Sequence, residues 1–179
     1  MATPRTRTCC MLALALALAG CASTPPATYD LSAAAVGRGV RGTLALETPA
    51  VDPPYDGNLI VIRTAGGLQR LGGAQWADSL PRLAQSRVTD SLENAGWRVE
   101  DTGAARLQVV IRSFEVDAVT REARVELAAQ FSQGGLQAAR VFAASEPVGD
   151  ITGAAPALAL DHAFSRVLAD LTRWTEKPR

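Results

Sequence analysis

The chain of 179 residues is poor in the side chains that most reactive sites need, with three cysteines and one histidine. Cys9, Cys10 and Cys21 all lie near the N-terminus, so the rest of the chain has no thiol for a disulfide or a cysteine metal site. This usage suits an oxidising, exported compartment. The 18 basic and 18 acidic side chains cancel, so the sequence has none of the net positive charge typical of nucleic-acid-binding proteins.

The N-terminal apolar run is too short to cross a bilayer. It covers residues 11–20, about ten residues, whereas a membrane-spanning helix needs about 20. Arg5 and Arg7 precede the run and no acidic residue does, which is the charge pattern of a secretory signal peptide. We therefore expect residues 1–20 to be a signal peptide rather than a short buried helix.

The run ends in the sequence LAGC at Cys21, which resembles a bacterial lipobox. In that class of signals the cysteine thiol receives a diacylglyceryl group, and cleavage before it leaves a lipidated N-terminus. Cys21 is therefore the expected lipid-attachment site. Loss of Arg5 and Arg7 with the signal leaves 16 basic against 18 acidic side chains, so membrane attachment must come from the acyl chains. Two or more chains are needed, because each buried methylene contributes only about 0.8 kcal/mol.

The mature chain predicts one domain behind a tether. Removal of 20 of the 179 residues leaves 159, enough for a single domain with its own core. Residues 21–37 contain Pro25 and Pro26 among small polar residues and predict a lipidated flexible tether. Residues 38–179 predict a single α+β domain without internal repeats.

Alternating apolar residues predict five to six strands. The fourth segment starts with Leu107, Val109 and Ile111 on one face. Val110, Phe114 and Val116 have the opposite parity, which predicts a bulge or burial on both faces. The last three segments have no helix between them and should pair antiparallel through hairpins. The predicted strands lie in residues 42–51, 58–64, 68–71, 106–116, 124–131 and 139–145.

A helical period follows Trp76 and extends to Gly96. Asp78 or Ser79 can cap this helix, Pro81 is tolerated in its first turn, and Gly96 stands where a left-handed residue ends a helix. Its apolar stripe comprises Leu80, Leu83, Ala84, Val88, Leu92 and Ala95.

A second amphipathic helix is predicted over residues 155–174. Its stripe comprises Leu160, Phe164, Val167, Leu168, Leu171 and Trp174. Such a stripe packs either on a sheet or along a seam between subunits, and a domain of this size needs it for its own core. The sequence thus predicts an α+β fold: an antiparallel or mixed sheet of five to six strands with two amphipathic helices on one face.

The sequence contains no Gly-x-Ser-x-Gly elbow, phosphate loop or His-Glu-x-x-His pair. His162, Arg166 and Asp170 stand four residues apart on the second helix and predict an exposed charged face. Asp90 and Glu93 lie on the outer face of the first helix, where they are solvated rather than paired for acid–base catalysis. We expect no enzymatic activity, no metal and no cofactor apart from the lipid on Cys21.

With these features in order, the chain resembles the ABC-type transport auxiliary lipoprotein family, which includes the PqiC-type intermembrane transport lipoproteins. The resemblance covers nearly all of the mature chain. In the N-terminal part it rests on the lipobox at Cys21, on Tyr29-Asp30-Leu31, and on Tyr55 before a strand that ends at Arg63. Further along the chain it rests on the segment QWADSLPRL with Trp76 and Pro81 and on the segment SLENAGW. The last feature is a closing helix that ends at Trp174.

The resemblance implies a non-enzymatic periplasmic lipoprotein that works with an MCE-domain protein and inner-membrane components to move lipids between membranes. Only Cys21 is carried over as a functional residue. Ala22 and Ser23 follow it where an aspartate would favour inner-membrane retention, so outer-membrane anchoring is expected. The sequence leaves open whether the protein forms a homo-oligomer. It also leaves open two other functions, a lipid carrier with an apolar cavity and an assembly factor for an outer-membrane complex.

Three tryptophans flank the predicted helices: Trp76, Trp97 and Trp174. At such positions a tryptophan more often covers a core than stacks on a ligand. Trp76 and Trp174 are therefore candidates for structural roles. Arg63, at the end of its predicted strand, is a third structural candidate.

Overall fold

A computed structural model describes residues 25–37 and 39–178. The predicted signal peptide and Cys21 lie outside the described residues. The described elements, in chain order, are β1 (Ala27–Tyr29), β2 (Gly42–Leu46), β3 (Ala50–Val51), β4 (Leu59–Thr64), β5 (Gly67–Trp76), α1 (Leu80–Ala95), β6 (Trp97–Glu100), β7 (Ala105–Asp117), β8 (Glu122–Gln133), β9 (Leu136–Pro147) and α2 (Ala155–Glu176).

The long strand β7 organises the sheet. On one side it pairs antiparallel with β8, which pairs in turn with β9. On the other side it pairs in parallel with β2, then β3, then β4 along its length. Two branches continue from there, β4–β5–β1 and β2–β6. The α+β class and the mixed sheet are confirmed, and the antiparallel hairpins of β7, β8 and β9 are as predicted.

The predicted number of five to six strands is wrong, because the described residues form nine. The predicted strand over 42–51 is divided into β2 and β3, and β1 and β6 were not expected. These segments have two to five residues each, too few to establish an alternation. They become strands because longer neighbours offer them backbone partners, which a local pattern does not reveal.

The predicted tether of residues 21–37 is too long. Ala27–Tyr29 forms β1 against the end of β5, and Leu31 and Ala34 are buried. Asp30 forms an ion pair with Arg87 of α1 at 2.8 Å. The backbone N–H of Ala34 donates to the Ser91 hydroxyl at 2.9 Å. A segment of mostly small residues thus joins the fold through strand pairing, specific polar contacts and the burial of Leu31 and Ala34.

Two breaks in strand pairing shape the sheet. The predicted return strand over 68–71 is β5, which extends from Gly67 to Trp76, and its pairing with β4 shifts between Leu59 and Val61. In β7 the register shifts between Ile111 and Ser113, which confirms the predicted bulge. After this bulge Phe114 lies on the same buried side as Ile111.

The two helices match their predicted patterns. Every residue of both predicted apolar stripes is buried, so α2 uses its stripe for packing on the sheet, as expected. Gly96 adopts a left-handed φ of 106° after α1. Ser79 is the N-cap residue, but its side chain makes no capping hydrogen bond, and the Asp78 carboxylate accepts the Ser79 N–H at 2.7 Å instead.

Aromatic rings fill the space between the sheet and the helices. Phe114 of β7 lies between Trp76 and Phe164, with ring centroids 5.7 and 5.6 Å away. Further along α2, Trp174 lies 6.1 Å from Phe131 and 5.6 Å from Phe142. These edge-to-face contacts connect the helix layer to β5, β7, β8 and β9.

Candidate functional site

The most strongly buried ion pair of the described residues involves Glu115 of β7. Its side chain is 5% exposed, whereas that of its partner Arg63 is 44% exposed. The Arg63 Nε donates to Glu115 Oε1 at 2.5 Å and its Nη2 donates to Oε2 at 2.9 Å. The Tyr55 hydroxyl also donates to Oε2, at 2.6 Å. We call Tyr55, Arg63 and Glu115 the carboxylate cluster.

The sheet topology brings these three residues together. In the parallel pairing of β4 with β7, Val61 lies opposite Glu115 and Arg63 lies opposite Asp117. The Arg63 guanidinium therefore extends back along the strand by two residues to reach the Glu115 carboxylate. The turn before β4 positions Tyr55, because the Asp52 N–H donates to the Ile111 carbonyl at 2.9 Å. Glu115 adjoins Phe114 and Val116, which face the helices, and therefore points to the other side of the sheet.

Burial raises the pKa of Tyr55 to about 12, and the hydrogen bond to Glu115 and the charge of that carboxylate act in the same direction. The hydrogen bond to Glu115 likewise raises the pKa of Arg63. The cluster is thus a charged pair with a neutral phenol. This arrangement holds β4, β7 and the turn at Tyr55 in place, and Arg63 remains partly open to solvent.

A spectrophotometric titration can test this arrangement. The protein has two tyrosines, and one of them, Tyr55, should ionise late, at about pH 12. A raised folded-state pKa contributes stability that is complete below the unfolded value and is lost as pH rises. We therefore expect the folded state to lose stability between about pH 10 and about pH 12. Tyr55→Phe should remove both the late phenolate signal and this loss. Half-ionisation of Tyr55 near pH 10, the ordinary value for a tyrosine, would contradict the cluster.

A second carboxylate, Asp117, organises the turn between β7 and β8. Its Oδ1 accepts the backbone N–H groups of Thr120 at 3.0 Å and Val119 at 2.9 Å, and its Oδ2 lies 3.2 Å from Arg124 Nη1. The hydrogen bond from Thr120, followed by those from Val119 and the Arg124 charge, lowers the pKa of Asp117. The turn is therefore fixed by its own polar groups, while the Val119 side chain stays exposed.

The structure places the other candidates from the sequence as follows. Trp76, Trp97 and Trp174 are all buried, and the Trp97 Nε1 donates to the Thr175 hydroxyl at 3.0 Å. His162 is exposed, and Arg166 on the same face pairs with Glu146 at 2.5 Å. Asp90 pairs with Arg87 at 2.8 Å, and Glu93 is exposed. The sequence therefore named Arg63 but missed Tyr55 and Glu115 as its partners.

Within residues 25–37 and 39–178, no group of three or more His, Cys, Asp or Glu side chains is arranged to hold a metal ion. In the same part of the chain, no helix combines the length and hydrophobicity required to span a membrane. Surface grooves are present. One of about 340 Å³ lies beside the carboxylate cluster between Pro54 and Arg70, and one of about 490 Å³ lies between Arg140 of β9 and Lys177 after α2.

Two solved structures share this fold. A crystal structure of a Xanthomonas campestris protein assigned to family DUF330 superposes with a TM-score of 0.72 at 25% identity, covering 83% of this chain and 94% of that one. The crystal structure of an uncharacterised protein superposes with a TM-score of 0.70 at 17% identity, covering 84% of this chain and 99% of that one. The branched sheet with two helices on one face is therefore an established α+β domain.

The chain belongs to the family of ABC-type transport auxiliary lipoprotein components, whose model matches residues 29–172. An uncharacterised protein of Bradyrhizobium diazoefficiens is 31% identical over 163 residues, which cover 83% of this chain. The matched region is 44% of that relative, so this chain spans less than half of its length. The matched family confirms the resemblance drawn from the sequence.

Proposed function

We propose that the protein is a periplasmic lipoprotein, anchored in the outer membrane through Cys21, that serves as a non-enzymatic docking component of an MCE-type intermembrane lipid transport system. Family membership over residues 29–172 supports the auxiliary role. The lipobox sequence ending at Cys21 supports the anchor, and Ala22 and Ser23 after it support outer-membrane sorting.

The filled interior is the observation that favours docking over lipid carriage. A carrier needs an apolar cavity between sheet and helices that is large enough for acyl chains. Here Trp76, Phe114 and Phe164 occupy that space near one end of the domain, and Phe131 and Trp174 occupy it near the other. A lipid could enter only by displacing these rings, so the domain acts through its surface.

The anchor can be tested directly. Cys21→Ser should abolish metabolic labelling with a radioactive fatty acid and leave unprocessed precursor, because no other residue of the lipobox carries a thiol. Cys10→Ser is a matched control, since that residue leaves with the signal peptide. It should preserve both labelling and fractionation with the outer membrane. Equal labelling of the Cys21→Ser protein would end the lipoprotein assignment.

The docking role predicts what the anchored protein captures. After detergent extraction, the lipidated protein should bring down an MCE-domain protein. Stoichiometric non-covalent lipid without a captured protein would favour the carrier instead.

A further inference from the structure

Exposed apolar side chains are concentrated at one end of the domain, which we call the turn end. It is formed by the turn between β4 and β5 and the turn between β7 and β8. The two turns lie side by side, because the Ala118 N–H donates to the Arg63 carbonyl at 2.8 Å. The turn between β7 and β8 carries Val119, which is 70% exposed, and the second residue of β5, Leu68, is 41% exposed. Two exposed aliphatic side chains thus lie at the same end of the domain.

The first turn of α2 lies at the same end. The ring centroid of Phe164 in α2 lies 5.6 Å from that of Phe114, which is near the end of β7. Ten residues later Trp174 contacts Phe131, which pairs with Leu107 near the start of β7. The helix therefore runs away from the turn end. Leu158, three residues into α2, lies close to that end and is 52% exposed.

The chain also enters the domain from the turn end. β1 runs parallel to β5, with Ala27 opposite Ala74 and Tyr29 opposite Trp76. Because β5 starts at the turn and runs away from it, Pro25 and Pro26, which precede β1, lie on the side of β1 that faces the turn. Cys21 precedes Ala27 by six residues, a stretch that can extend over at most about 20 Å. An acyl anchor at Cys21 would hold the turn end close to the lipid surface.

We infer that the turn end faces the lipid leaflet that holds the anchor, and that Val119 and Leu68 insert into its interfacial region; this inference rests on the proposed lipidation of Cys21. Aliphatic side chains of peripheral proteins enter the headgroup boundary by about 5–10 Å. Arg70 and Arg121, which are exposed near the same turns, can keep their cationic groups at lipid phosphates while their stems lie on apolar surface.

This orientation turns the opposite end of the domain towards the periplasm. That end carries the turn between β8 and β9, with Gly134 and Gly135, followed by Leu136. Leu136 is 44% exposed, similar to Leu68. It therefore provides a control position of similar chemistry and exposure at the end that should not reach lipid.

Site-specific fluorescence in vesicles tests the orientation. Val119→Cys and Leu136→Cys are introduced separately into the full-length lipoprotein and labelled with a polarity-sensitive fluorophore, since Cys21 is acylated and the signal cysteines are removed. Each protein is reconstituted into vesicles of phosphatidylethanolamine and phosphatidylglycerol with nitroxide-labelled lipid. The label at position 119 should shift to the blue and be quenched several-fold more than the label at position 136. Leu68→Cys should behave like Val119→Cys, which guards against a misfolded variant.

Equal quenching at positions 119, 68 and 136, or stronger quenching at 136, would overturn the orientation. Flotation of the same samples separates this outcome from failure of the anchor. A protein that floats with the vesicles but shows no quenching at position 119 keeps its anchor and contradicts only the orientation. A protein that does not float contradicts the anchor, and the inferred orientation with it.

Discussion

Trp76→Ala should lower the free energy of unfolding by about 3–5 kcal/mol, the cost of truncating a fully buried tryptophan. The indole is fully buried and meets the Phe114 ring edge to face at 5.7 Å. Its backbone N–H donates to the Asn58 carbonyl at 2.8 Å, so the residue also fixes the end of β5 against the start of β4. The cavity would open in the centre of the core, where neighbouring rings cannot easily collapse into it.

Chemical denaturation of the purified domain measures this loss. Val119→Ala is the matched control, because Val119 is highly exposed and its truncation should change stability by no more than about 0.5 kcal/mol. Trp76→Phe should retain part of the stability, since an aromatic ring can still contact Phe114. An Ala variant of unchanged stability that loses partner binding would instead identify Trp76 as an interface residue.

Arg63→Met should lower the free energy of unfolding clearly more than the loss of an exposed ion pair does, because it leaves the buried Glu115 carboxylate without its charged partner. The substitution removes both hydrogen bonds to Glu115, at 2.5 and 2.9 Å, and leaves a carboxylate that is 5% exposed with Tyr55 as its described partner. Glu115→Gln should cost less, because its amide oxygen can still accept from Tyr55 and Arg63.

Arg82→Met is the control with the same substitution. Arg82 lies 3.6 Å from Asp78, and both side chains of this pair are well exposed. Its loss should therefore cost no more than about 1 kcal/mol. If the Arg63 and Arg82 substitutions have equally small effects in urea denaturation, the carboxylate cluster does not stabilise the fold.

The helices and the main hairpins could be predicted from the sequence because their signals are local. Leu80, Val88 and Leu92 recur with the helical period, and Gly96 ends α1 at the expected place. The opposite parity of Phe114 and Val116 indicated a bulge or two-sided burial in β7, and the register shift between Ile111 and Ser113 is that bulge. Such features depend on residues within one element, and one stripe or one alternation is sufficient to define each of them.

The remaining features of the fold and of the carboxylate cluster depend on contacts between segments that are distant in the sequence. Ala27–Tyr29 becomes a strand only because the end of β5 offers it free backbone groups, so its composition still indicates a tether. Glu115 stands between the apolar residues Phe114 and Val116, but its partners come from positions 52 and 60 residues earlier. Only the parallel pairing of β4 with β7 brings Arg63 to it, and no local pattern specifies that register.

The central claim is that the domain docks on a transport protein, and quantitative co-purification tests it most directly. The tagged lipoprotein is extracted in mild detergent, and captured proteins and non-covalent lipids are measured per mole, with Cys21→Ser as the control that carries no acyl chains and stays unprocessed. We predict an MCE-domain protein in near-stoichiometric amount with the lipidated protein, little non-covalent lipid, and much less captured protein with Cys21→Ser. Stoichiometric extractable lipid with no captured MCE-domain protein would contradict the claim.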